Sequence, residues 1–396
     1  MSISSRLRNA VLASAVLLVS CGGGKAAAPV QETVPPTIEA ALPVYAKSTD
    51  ITQNLQARID ASNGGIVTIP VGRWELSAPI TIRTNNVRIV GEGDFNAGTW
   101  LDVRHNGDAF VFDGCQHCGL SQVWIVGYSN SLGFGAVLRN TFRADVSNVR
   151  MDGIGNGLHI FGSTESSVRE LTMNTLIGKF GILYDGDSQH RSYRATLDNI
   201  RGGNSTADIV WVQQDSYAYS LVIDKAALLT GSCGFRQTDS IKDGTSYPMW
   251  TFATDLEVDH NRDVGVDLEA GEGFQASVSW FGSTLSGDAV HIGSAYRGDV
   301  SISTTRIMGA SKNGVYHAGD ALDVVLTGNL IGDNGVNGVM LDGEATRVSL
   351  TGNRIGDLIG VDGNLQQYGI YRSSLQGEVI NSGNLLSGNS IAPTNW

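Results

Sequence analysis

The sequence predicts an all-β fold in which one chain winds into a single-stranded parallel β-helix, and two observations predict it. The first is an internal repeat between Gly314 and Asp357 with an offset of 24 residues: Gly314-Val315 returns as Gly338-Val339, and the run LTGN at 326–329 returns at 350–353. Self-similarity at a fixed period in this range is typical of solenoids. Each unit holds two short runs with apolar residues at alternate positions, separated by Gly, Asp and Asn at the turns, which indicates a coil of strands.

The second observation is that the same unit can be traced along most of the chain. A small or acidic residue precedes an apolar strand at intervals of 22 to 31 residues. Such variation is expected when coils keep their strands and lengthen their loops. Leucine-rich repeats share this period, but the chain has neither their LxxLxL pattern nor a helix in each unit. The predicted coil starts are Gly135, Gly157, Gly181, Asp208, Gly234, Gly265, Ala289, Gly314, Gly338 and Gly369.

The composition agrees with one elongated acidic domain. The 396 residues include 50 glycines, which suit many tight turns. One continuous period from about Gly64 to Asn389 predicts a single body rather than several domains. The formal net charge of −12, without a basic stripe, argues against nucleic acid as a partner, because phosphate contacts need clustered Lys and Arg.

The N-terminus has the layout of an export signal. Arg6 and Arg8 precede an apolar run, Ala10 to Val19, that is too short for a stable membrane span. The following Leu18-Val19-Ser20-Cys21, with three glycines behind it, resembles the lipobox of bacterial lipoproteins. The alternative is an ordinary cleaved signal with a chance cysteine.

The lipobox resemblance implies a signal peptide at residues 1–20 and lipid attachment at Cys21, which would anchor the protein stably to a membrane. Residues 21–48 are then a flexible tether, and four of the eight prolines lie between Pro29 and Pro43. Gly22 beside the cysteine implies the outer membrane, on its periplasmic or cell-surface side.

A short helix is predicted ahead of the first coil. Asp50 is the expected N-cap of a helix from Ile51 to Ala61, and Gln53 at its third position would close a capping box. Leu55 and Ile59 fall on one face of this helix. We therefore expect it to cover the open apolar end of the β-helix.

The stretch after this helix carries a family resemblance. The run GGIVTIPVGRW at 64–74, the strand Pro79 to Ile82 and the run VRIVGEG at 87–93 resemble the N-terminal cap and first coils of the pectate-lyase-like superfamily. The resemblance implies a right-handed β-helix over residues 49–396 and a polysaccharide substrate. It also implies a homotrimer as one assembly that relatives adopt.

The superfamily includes polysaccharide lyases, glycoside hydrolases, epimerases, phage tailspike depolymerases and proteins without known activity. The signature set of polygalacturonases and the WIDH run of calcium-dependent pectate lyases do not occur in this chain. The resemblance therefore implies the fold and leaves the chemistry open.

Carboxylates follow the same predicted strand in successive coils. Neighbouring parallel strands lie about 4.8 Å apart, so such residues become neighbours in space. Carboxylates one coil apart would suit the roughly 5 to 5.5 Å between the two carboxylates of a retaining glycosidase. Carboxylates two coils apart would approach the roughly 6.5 to 9.5 Å of an inverting one. The alternative is that these acids are solvated turn formers. The catalytic candidates are Asp185, Asp187, Glu269 and Glu272, and the candidates for substrate binding are Asp215 and Asp239.

The loop from Asp187 to Arg194 is a second concentration of reactive side chains. A lyase acting on uronic acids must neutralise the substrate carboxylate and remove a proton from the neighbouring carbon. Arg191 or Arg194 would neutralise the carboxylate, and His190 or Tyr193 would act as the base. The alternative for His190 is a structural role in a polar loop.

Aromatic residues concentrate in the same central coils, where exposed rings would stack on the apolar faces of sugars. Tyr184 and Trp211 are expected at matching positions of adjacent coils, as a ladder of rings. The alternative for each ring is packing inside the coil. The predicted binding set is Tyr184, Trp211, Trp250 and Trp280, with Tyr217, Tyr219 and Tyr247 nearby.

No cofactor and no metal site is predicted. Asp255, Glu257 and Asp259 alternate on one outward face, where they would form either a Ca²⁺ site or, as the pattern favours, a plain exposed edge. Cys115 and Cys118 are a lone CxxC, which indicates structural cysteines rather than a zinc or redox site.

Together these features predict an exported enzyme that cleaves glycosidic bonds of a polysaccharide in a groove on the central coils. Acid–base hydrolysis is favoured because the candidate carboxylates outnumber any lyase base. The alternatives are a lyase acting by β-elimination on a uronic-acid glycan, and a non-catalytic glycan-binding or envelope-structural protein.

Overall fold

The computed structural model describes residues 49–93, 97–129, 131–205, 208–242, 245–343, 345, 347–358, 366–373 and 377–396. These residues lie in one compact unit, Tyr45–Trp396. The predicted signal peptide, the lipid site at Cys21 and the tether fall outside the described residues.

The described residues form one α-helix and 33 β-strands. In chain order they are β1 (Thr49–Asp50), α1 (Thr52–Ala61), β2 (Gly65–Ile69), β3 (Gly72–Leu76), β4 (Ile80–Ile82), β5 (Val87–Gly91), β6 (Thr99–Val103), β7 (Phe110–Asp113), β8 (Gly119–Val126), β9 (Phe134–Arg139), β10 (Asp145–Asp152), β11 (Asn156–Phe161), β12 (Ser167–Asn174), β13 (Phe180–Asp185), β14 (Ser192–Gly203), β15 (Val210–Gln214), β16 (Ala218–Leu229), β17 (Cys233–Gln237), β18 (Met249–Asp259), β19 (Val264–Ser277), β20 (Trp280–Gly282), β21 (Val290–Tyr296), β22 (Val300–Ser303), β23 (Arg306–Met308), β24 (Val315–His317), β25 (Asp323–Thr327), β26 (Leu330–Gly332), β27 (Asn337–Leu341), β28 (Arg347–Thr351), β29 (Arg354–Gly356), β30 (Tyr368–Arg372), β31 (Glu378–Ser382), β32 (Leu385–Ser387) and β33 (Ala392–Thr394).

The strands pair in parallel, each with the equivalent strand of the next coil, and they build two long sheets. Sheet B takes one strand per coil and consists of β4, β7, β9, β11, β13, β15, β17, the first part of β19, β21, β24, β27, β30 and β33. The remaining strands, with the second part of β19, form sheet A. These pairings give about 13 coils and confirm the predicted parallel β-helix. The predicted coil starts lie in or next to the first residues of sheet B strands, except that Asp208 precedes its strand by two residues.

Helix α1 covers the N-terminal end of the coil, as predicted. Leu55 and Ile59 are buried, and the helix begins at Thr52, one residue later than expected. Its N-cap is Ile51, without a side-chain capping bond. Asp50 Oδ1 instead accepts a hydrogen bond from the backbone N of Thr52 at 2.9 Å, so the predicted capping box with Gln53 is wrong. Among the described residues no helix has the length and apolarity needed to cross a membrane.

The core fills the inside of the coil with aliphatic and aromatic side chains from both sheets. Cys115 and Cys118 are buried in it and form a disulfide, which agrees with a structural role. Cys233 is a buried free thiol. The continuous core explains why one long body forms, because each coil buries its apolar face against the next.

Sheet A bends sharply at one residue per coil, and we call these residues the bend column. Each has a left-handed backbone, with φ near 50° to 70°. Side chains other than Gly cost roughly 1 to 2 kcal/mol in this conformation, and a β-branched one is a strong outlier. The column consists of Gln122, Asn148, Glu170, Asn199, Lys225, Asp255, Val278, Thr304, Gly328, Gly352 and Gly383.

A ladder of polar side chains runs inside the coil behind the C-terminal part of this column. In each coil a side-chain oxygen accepts a hydrogen bond from the backbone N of the equivalent residue in the preceding coil, at 2.7 to 3.3 Å. The bends of successive coils are therefore tied together by buried bonds. The ladder consists of Ser279, Thr305, Asn329, Asn353 and Asn384.

A buried histidine in β24 predicts a pH dependence of folding. His317 is fully buried between Ile292 and Leu341 of the neighbouring coils, and both ring nitrogens lack a hydrogen-bond partner among the described residues. Burial lowers the pKa of His317 to about 4 from the ordinary 6.5, so the unfolded chain takes up a proton that the folded chain refuses. We expect the free energy of unfolding to fall by about 3 kcal/mol from this group as the pH drops from 6.5 to 4.

Urea unfolding of the protein and of a His317→Leu variant over this pH range tests the expectation. The variant should lose this part of the change in unfolding free energy with pH, because leucine fits an apolar site and does not titrate. Equal slopes for the two proteins would show that His317 is not the group responsible.

Candidate functional site

The outer face of sheet B carries a continuous row of side chains, one per coil. Its middle part is polar and aromatic, whereas its N-terminal part is Thr81, Val111 and Val137. Register places the middle members next to one another at the spacing of adjacent strands. In order they are His159, Leu183, Gln213, Arg236, Asp267, His291 and Tyr316.

A carboxylate–imidazole pair lies at the N-terminal side of this row. His159 Nε2 is 2.7 Å from Asp185 Oδ1, with the two side chains 21% and 23% exposed. The His159 ring stacks on Phe134 and meets Phe161 edge on, with centroids 5.0 and 5.8 Å apart. Loss of hydration raises the pKa of Asp185 above its usual range, although the bond from His159 acts in the opposite direction. Asp185 is therefore suited to hold a proton.

The loop after β13 forms a second carboxylate–imidazole pair. Asp187 Oδ1 accepts hydrogen bonds from the backbone N of Gln189 and of His190 at 2.8 and 2.7 Å, and it lies 3.2 Å from His190 Nδ1. Although lost hydration opposes ionisation, these bonds hold the pKa of Asp187 below its usual range. Asp187 is thus an anion that orients His190 with its other ring nitrogen free.

A glycine lets this loop sit close to the preceding coil. Gly162 has φ 59°, and a Cβ added there would lie 2.7 Å from the Cβ of His190. The ring of His190 is 6.3 Å from that of Phe161, which also contacts His159. The two imidazoles therefore border one aromatic patch.

Arg191 and three tyrosines continue the site toward sheet A. Arg191 lies over the Tyr217 ring at 5.7 Å, and its hydrogen bond with Tyr193 raises the pKa of the guanidinium. Tyr193 stacks on Tyr219 of the next coil at 5.1 Å. We call Asp185, Asp187, His190, Arg191, Tyr193 and the His159 beside them the proximal cluster.

Tyr184 and Trp211 lie in the core, so the predicted exposed ladder of these two rings is wrong. Both are 0% exposed. Tyr184 donates to the backbone O of Tyr219 at 2.7 Å, and Trp211 Nε1 donates to that of Leu229 at 2.8 Å. Tyr184 pairs with Gln214 in the register, not with Trp211. The Tyr184 hydroxyl instead fixes, from inside, the backbone that carries Tyr219.

Asp215 and Asp239 lie in turns and are only 4% and 8% exposed. Asp215 accepts from Gln213 Nε2 and from the backbone N of Ser240 at 2.7 and 2.8 Å. Asp239 accepts from the hydroxyls of Ser216 and Ser246, both at 2.8 Å. Both oxygens of Asp215 are taken up by turn contacts, which does not fit its predicted role in binding substrate. Asp239 uses Oδ1 in its turn but also lines the cavity beside Glu269, so its role in binding stays a prediction.

A distal cluster lies farther along the same outer face. Asp267 Oδ2 accepts from Arg236 at 3.0 Å, and Asp267 Oδ1 lies 3.1 Å from His291 Nδ1. The bond to Asp267 raises the pKa of His291, whose ring stacks on Tyr316 at 5.5 Å. Glu269 accepts from the Thr238 hydroxyl at 2.7 Å. We call Arg236, Asp267, Glu269 and His291 the distal cluster.

Glu269 also lines a cavity of about 350 Å³. Its wall includes Lys242, Tyr247 and Arg297, and Arg297 lies 6.0 Å from the Tyr247 ring. Burial raises the pKa of Tyr247, and its hydrogen bond to Glu272 adds to the effect. Glu272 is therefore a partner of Tyr247 beside this cavity.

The four predicted catalytic carboxylates fall into two separate groups. Asp185 and Asp187 belong to the proximal cluster, and Glu269 lies three coils later in the register. Three strand spacings amount to about 14 Å, which exceeds the roughly 9.5 Å of the widest glycosidase pair. The structure does not bring Asp185 and Glu269 together as one acid–base pair.

The remaining predicted residues lie at the edges of the site. Arg194 forms an ion pair with Glu165, with Nη1 3.4 Å from Oε1. Trp250 is 49% exposed and packs over Gly273, where a Cβ would lie 2.7 Å from its ring. Trp280 lies on β20 in sheet A, next to Glu257, beyond the bend. Trp250 is therefore an exposed ring on sheet A, and neither tryptophan joins the proximal cluster.

No group of three or more His, Cys, Asp and Glu side chains suited to a metal ion occurs within the described parts of the chain. Asp255 and Glu257 are exposed on sheet A, as the alternation predicted. The chemistry of the proximal cluster is that of acids, bases and one guanidinium.

The sequence alone does not single out four residues of this outer face. They are His159, Arg236, Asp267 and His291. All four occupy the one outward position of sheet B that repeats in every coil. Aligning the coils on their inward residues and then asking which outward position is polar would have found them. Each looks like an isolated residue when a single coil is considered.

No family model and no curated protein matches this chain. Solved structures do match it, and three of them are described here. The A-module of mannuronan C-5 epimerase AlgE4 from Azotobacter vinelandii matches with a TM-score of 0.60 at 16% identity, covering 88% of this chain and 94% of that structure. The A-module of mannuronan C-5 epimerase AlgE6 from the same organism matches with a TM-score of 0.53 at 14% identity, covering 85% of this chain and 95% of that structure.

PfbA, a surface adhesin of Streptococcus pneumoniae, matches with a TM-score of 0.51 at 13% identity, covering 87% of this chain and 90% of that structure. Identities this low carry information on the fold alone. An enzyme and an adhesin are both represented, so the similarity is one of architecture. Together with the parallel strand register, it shows that this chain has the right-handed parallel β-helix fold, as the resemblance implied.

Proposed function

We propose that this protein is a polysaccharide-active enzyme that removes a proton from the sugar carbon next to a uronate carboxylate, at the proximal cluster. The observation that carries the proposal is the Asp187–His190 pair, an oriented imidazole in the same cluster as Arg191 and as Asp185, whose pKa is raised by burial. Two structures of similar fold are named mannuronan C-5 epimerases, a reaction at such a carbon.

His190 acts as the general base in this proposal. Asp187 accepts from Nδ1–H, which leaves the Nε2 lone pair free to take the proton of the carbon. The electron pair of the broken C–H bond moves into the substrate carboxylate, which becomes an enolate. Asp187 also stabilises the imidazolium that forms, since the pair is then a salt bridge.

Arg191 and Asp185 stabilise that enolate. Arg191 is exposed and stacks on Tyr217, so its free donors can pair with the substrate carboxylate. Burial raises the pKa of Asp185, which favours its protonated form relative to an ordinary carboxyl, and a protonated Asp185 would donate a hydrogen bond to the same oxygens. Charge developing in the transition state is the charge that such donors stabilise most.

Two products can follow from the enolate. Breaking the bond between the next carbon and the glycosidic oxygen gives β-elimination, and the leaving oxygen takes a proton from Tyr193. If Tyr193 instead gives its proton to the face of the carbon opposite His190, the product is the epimer. Both routes share the first step, and the same residues serve it.

Hydrolysis is the second candidate, because the raised pKa of Asp185 suits a general acid. Its partner would be Asp187, two residues along the chain. The commitment of Asp187 to two backbone N–H groups and to His190 argues against this role, since a nucleophile or base needs a free lone pair.

Export and lipid attachment at Cys21 are part of the same proposal, since a polysaccharide of the envelope or surroundings lies outside the cytoplasm. The lipobox resemblance at Leu18 to Cys21 supports it. Radiolabelled palmitate should enter the protein in a bacterial host and should not enter a Cys21→Ser variant. Equal labelling of the two proteins would remove Cys21 as the lipid site.

Product identity tests the catalytic proposal. The protein is incubated with polygalacturonate, alginate, hyaluronan and a neutral β-glucan. Unsaturated uronate ends or epimerised residues from an acidic polymer are expected. New reducing ends without unsaturation would favour hydrolysis, and binding without any product would favour the non-catalytic alternative.

A further inference from the structure

Sheet A has an open groove on its outer face, away from the proximal cluster. Two cavities of about 770 and 750 Å³ lie there along the bend column and share Asn199 and Lys225 in their walls. The proximal cluster lies before β14 and at its start, whereas Asp198 and Asn199 lie in the middle of that strand. The groove is therefore a surface separate from the one assigned to catalysis.

The groove is lined by the first six members of the bend column. All six face into the two cavities, and successive members are one coil apart, about 4.8 Å. The groove thus offers a polar side chain at every coil over six coils. These residues are Gln122, Asn148, Glu170, Asn199, Lys225 and Asp255.

The choice of residues in the column points to a ligand. In the last three coils the same position is Gly328, Gly352 and Gly383, the residue that adopts the left-handed backbone without strain. Along the groove, polar side chains occupy this conformation in its place: Gln122, Glu170 and Lys225 are of types that rarely adopt it, whereas Asn148, Asn199 and Asp255 tolerate it. Val278 and Thr304 adopt it outside the cavities, so the bend itself imposes the conformation, and the pointer to a ligand is the unused hydrogen-bonding groups. The side chains of four column members make no hydrogen bond to another described residue: Gln122, Asn148, Glu170 and Asn199.

The lining fits a hydroxyl-rich polymer. Amides, carboxylates and an amine offer both donors and acceptors, which sugar hydroxyls need. A protein partner would require an apolar core to its interface, and the column supplies none. A nucleic acid would require an excess of clustered cations, whereas the three cations of the lining are outnumbered by four acids: Arg169, Arg201 and Lys225 against Glu170, Asp198, Asp255 and Glu257. The repeat along the groove is close to the length of one sugar in an extended chain.

We propose that this groove is a second, non-catalytic binding site that holds a linear polysaccharide parallel to the axis of the β-helix. Each coil presents one side chain of the bend column to one sugar. The inference does not depend on the reaction assigned to the proximal cluster.

A double variant, Asn148→Gly with Asn199→Gly, tests the groove. Glycine suits the left-handed backbone at both positions, so the fold is preserved while both side chains are removed. The full chain is run in native gels containing polygalacturonate, alginate, hyaluronan or a β-glucan. We expect retardation by at least one polymer, and a rise of about tenfold in its dissociation constant for the variant, as for two lost hydrogen-bonding side chains.

Val278→Gly is the matched control. Val278 occupies the same column with φ 52°, but it lies outside both cavities. Retardation of this variant should equal that of the unchanged protein. No retardation by any polymer, or equal retardation of the double variant and the control, would overturn the inference. Turnover of a short uronate oligosaccharide, measured separately, distinguishes this failure from failure of the catalytic proposal.

Discussion

Replacing His190 with glutamine is expected to lower kcat on an acidic polysaccharide by about 10² to 10⁴, the usual contribution of a general base. Glutamine keeps a polar side chain in the loop but cannot take a proton. KM should change little, because Arg191 and the tyrosines remain. Initial rates over a range of substrate concentrations separate the two parameters.

His260→Gln is the matched control for this experiment. His260 is also an exposed histidine beside a carboxylate, with Nδ1 2.9 Å from Asp259, but it follows β18 at the far end of sheet A. Its variant should retain full activity. Loss of activity in the control, or full activity in His190→Gln, would contradict the assigned role.

Replacing Asn353 with alanine is expected to lower the free energy of unfolding by about 2 to 4 kcal/mol. Asn353 is buried, and its Oδ1 accepts from the backbone N of Asn329 at 2.9 Å. Its Nδ2 donates to the backbone O of Leu326 at 2.8 Å and to Asn384 at 3.0 Å. Alanine leaves a buried N–H without its partner. Denaturant unfolding measures the loss.

Thr351→Ala is the control for this variant. Thr351 lies two residues earlier in the same strand end, but its side chain is exposed. Its removal should change the free energy of unfolding by less than about 0.5 kcal/mol, as for most surface positions. Equal effects of the two substitutions would mean that the ladder does not stabilise the coil.

The fold could be predicted because the residues that repeat in the sequence are also the residues that shape each coil. In the run LTGN, glycine forms the sheet A bend at Gly328 and Gly352, and asparagine forms the internal ladder at Asn329 and Asn353. A third copy at Gly383-Asn384 lacks the leading residues but keeps both roles. The physical demand recurs in each coil, so the sequence recurs as well.

The wrong predictions for Tyr184 and Trp211 have different causes. Strict alternation from Ile182 makes Leu183 outward and Tyr184 inward, which the structure confirms. Trp211 is buried because Gly181 leaves room, where a Cβ would lie 2.9 Å from its ring. The space that receives a large ring belongs to the neighbouring coil, so the single coil gives no sign of it.

The candidate site could be predicted in part. Asp187, His190, Arg191 and Tyr193 are contiguous, and the structure keeps them close. His159 is 26 residues before its partner Asp185, and only the register between β11 and β13 brings them together. The sequence predicts Glu269 and Asp185 in one site because they follow the same strand of the coil, but the three coils between them separate them by about 14 Å.

Proton exchange at the substrate carbon tests the central claim most directly. The protein and its His190→Gln variant are incubated in deuterium oxide with the acidic polymer that it converts, and deuterium at the carbon next to the carboxylate is followed by nuclear magnetic resonance. The account predicts deuterium in epimerised residues, or consumption of that carbon–hydrogen bond in unsaturated ends, with the unchanged protein and at least a hundredfold less with the variant, about 2.7 kcal/mol in the barrier. Cleavage with that bond intact and no deuterium there would contradict it.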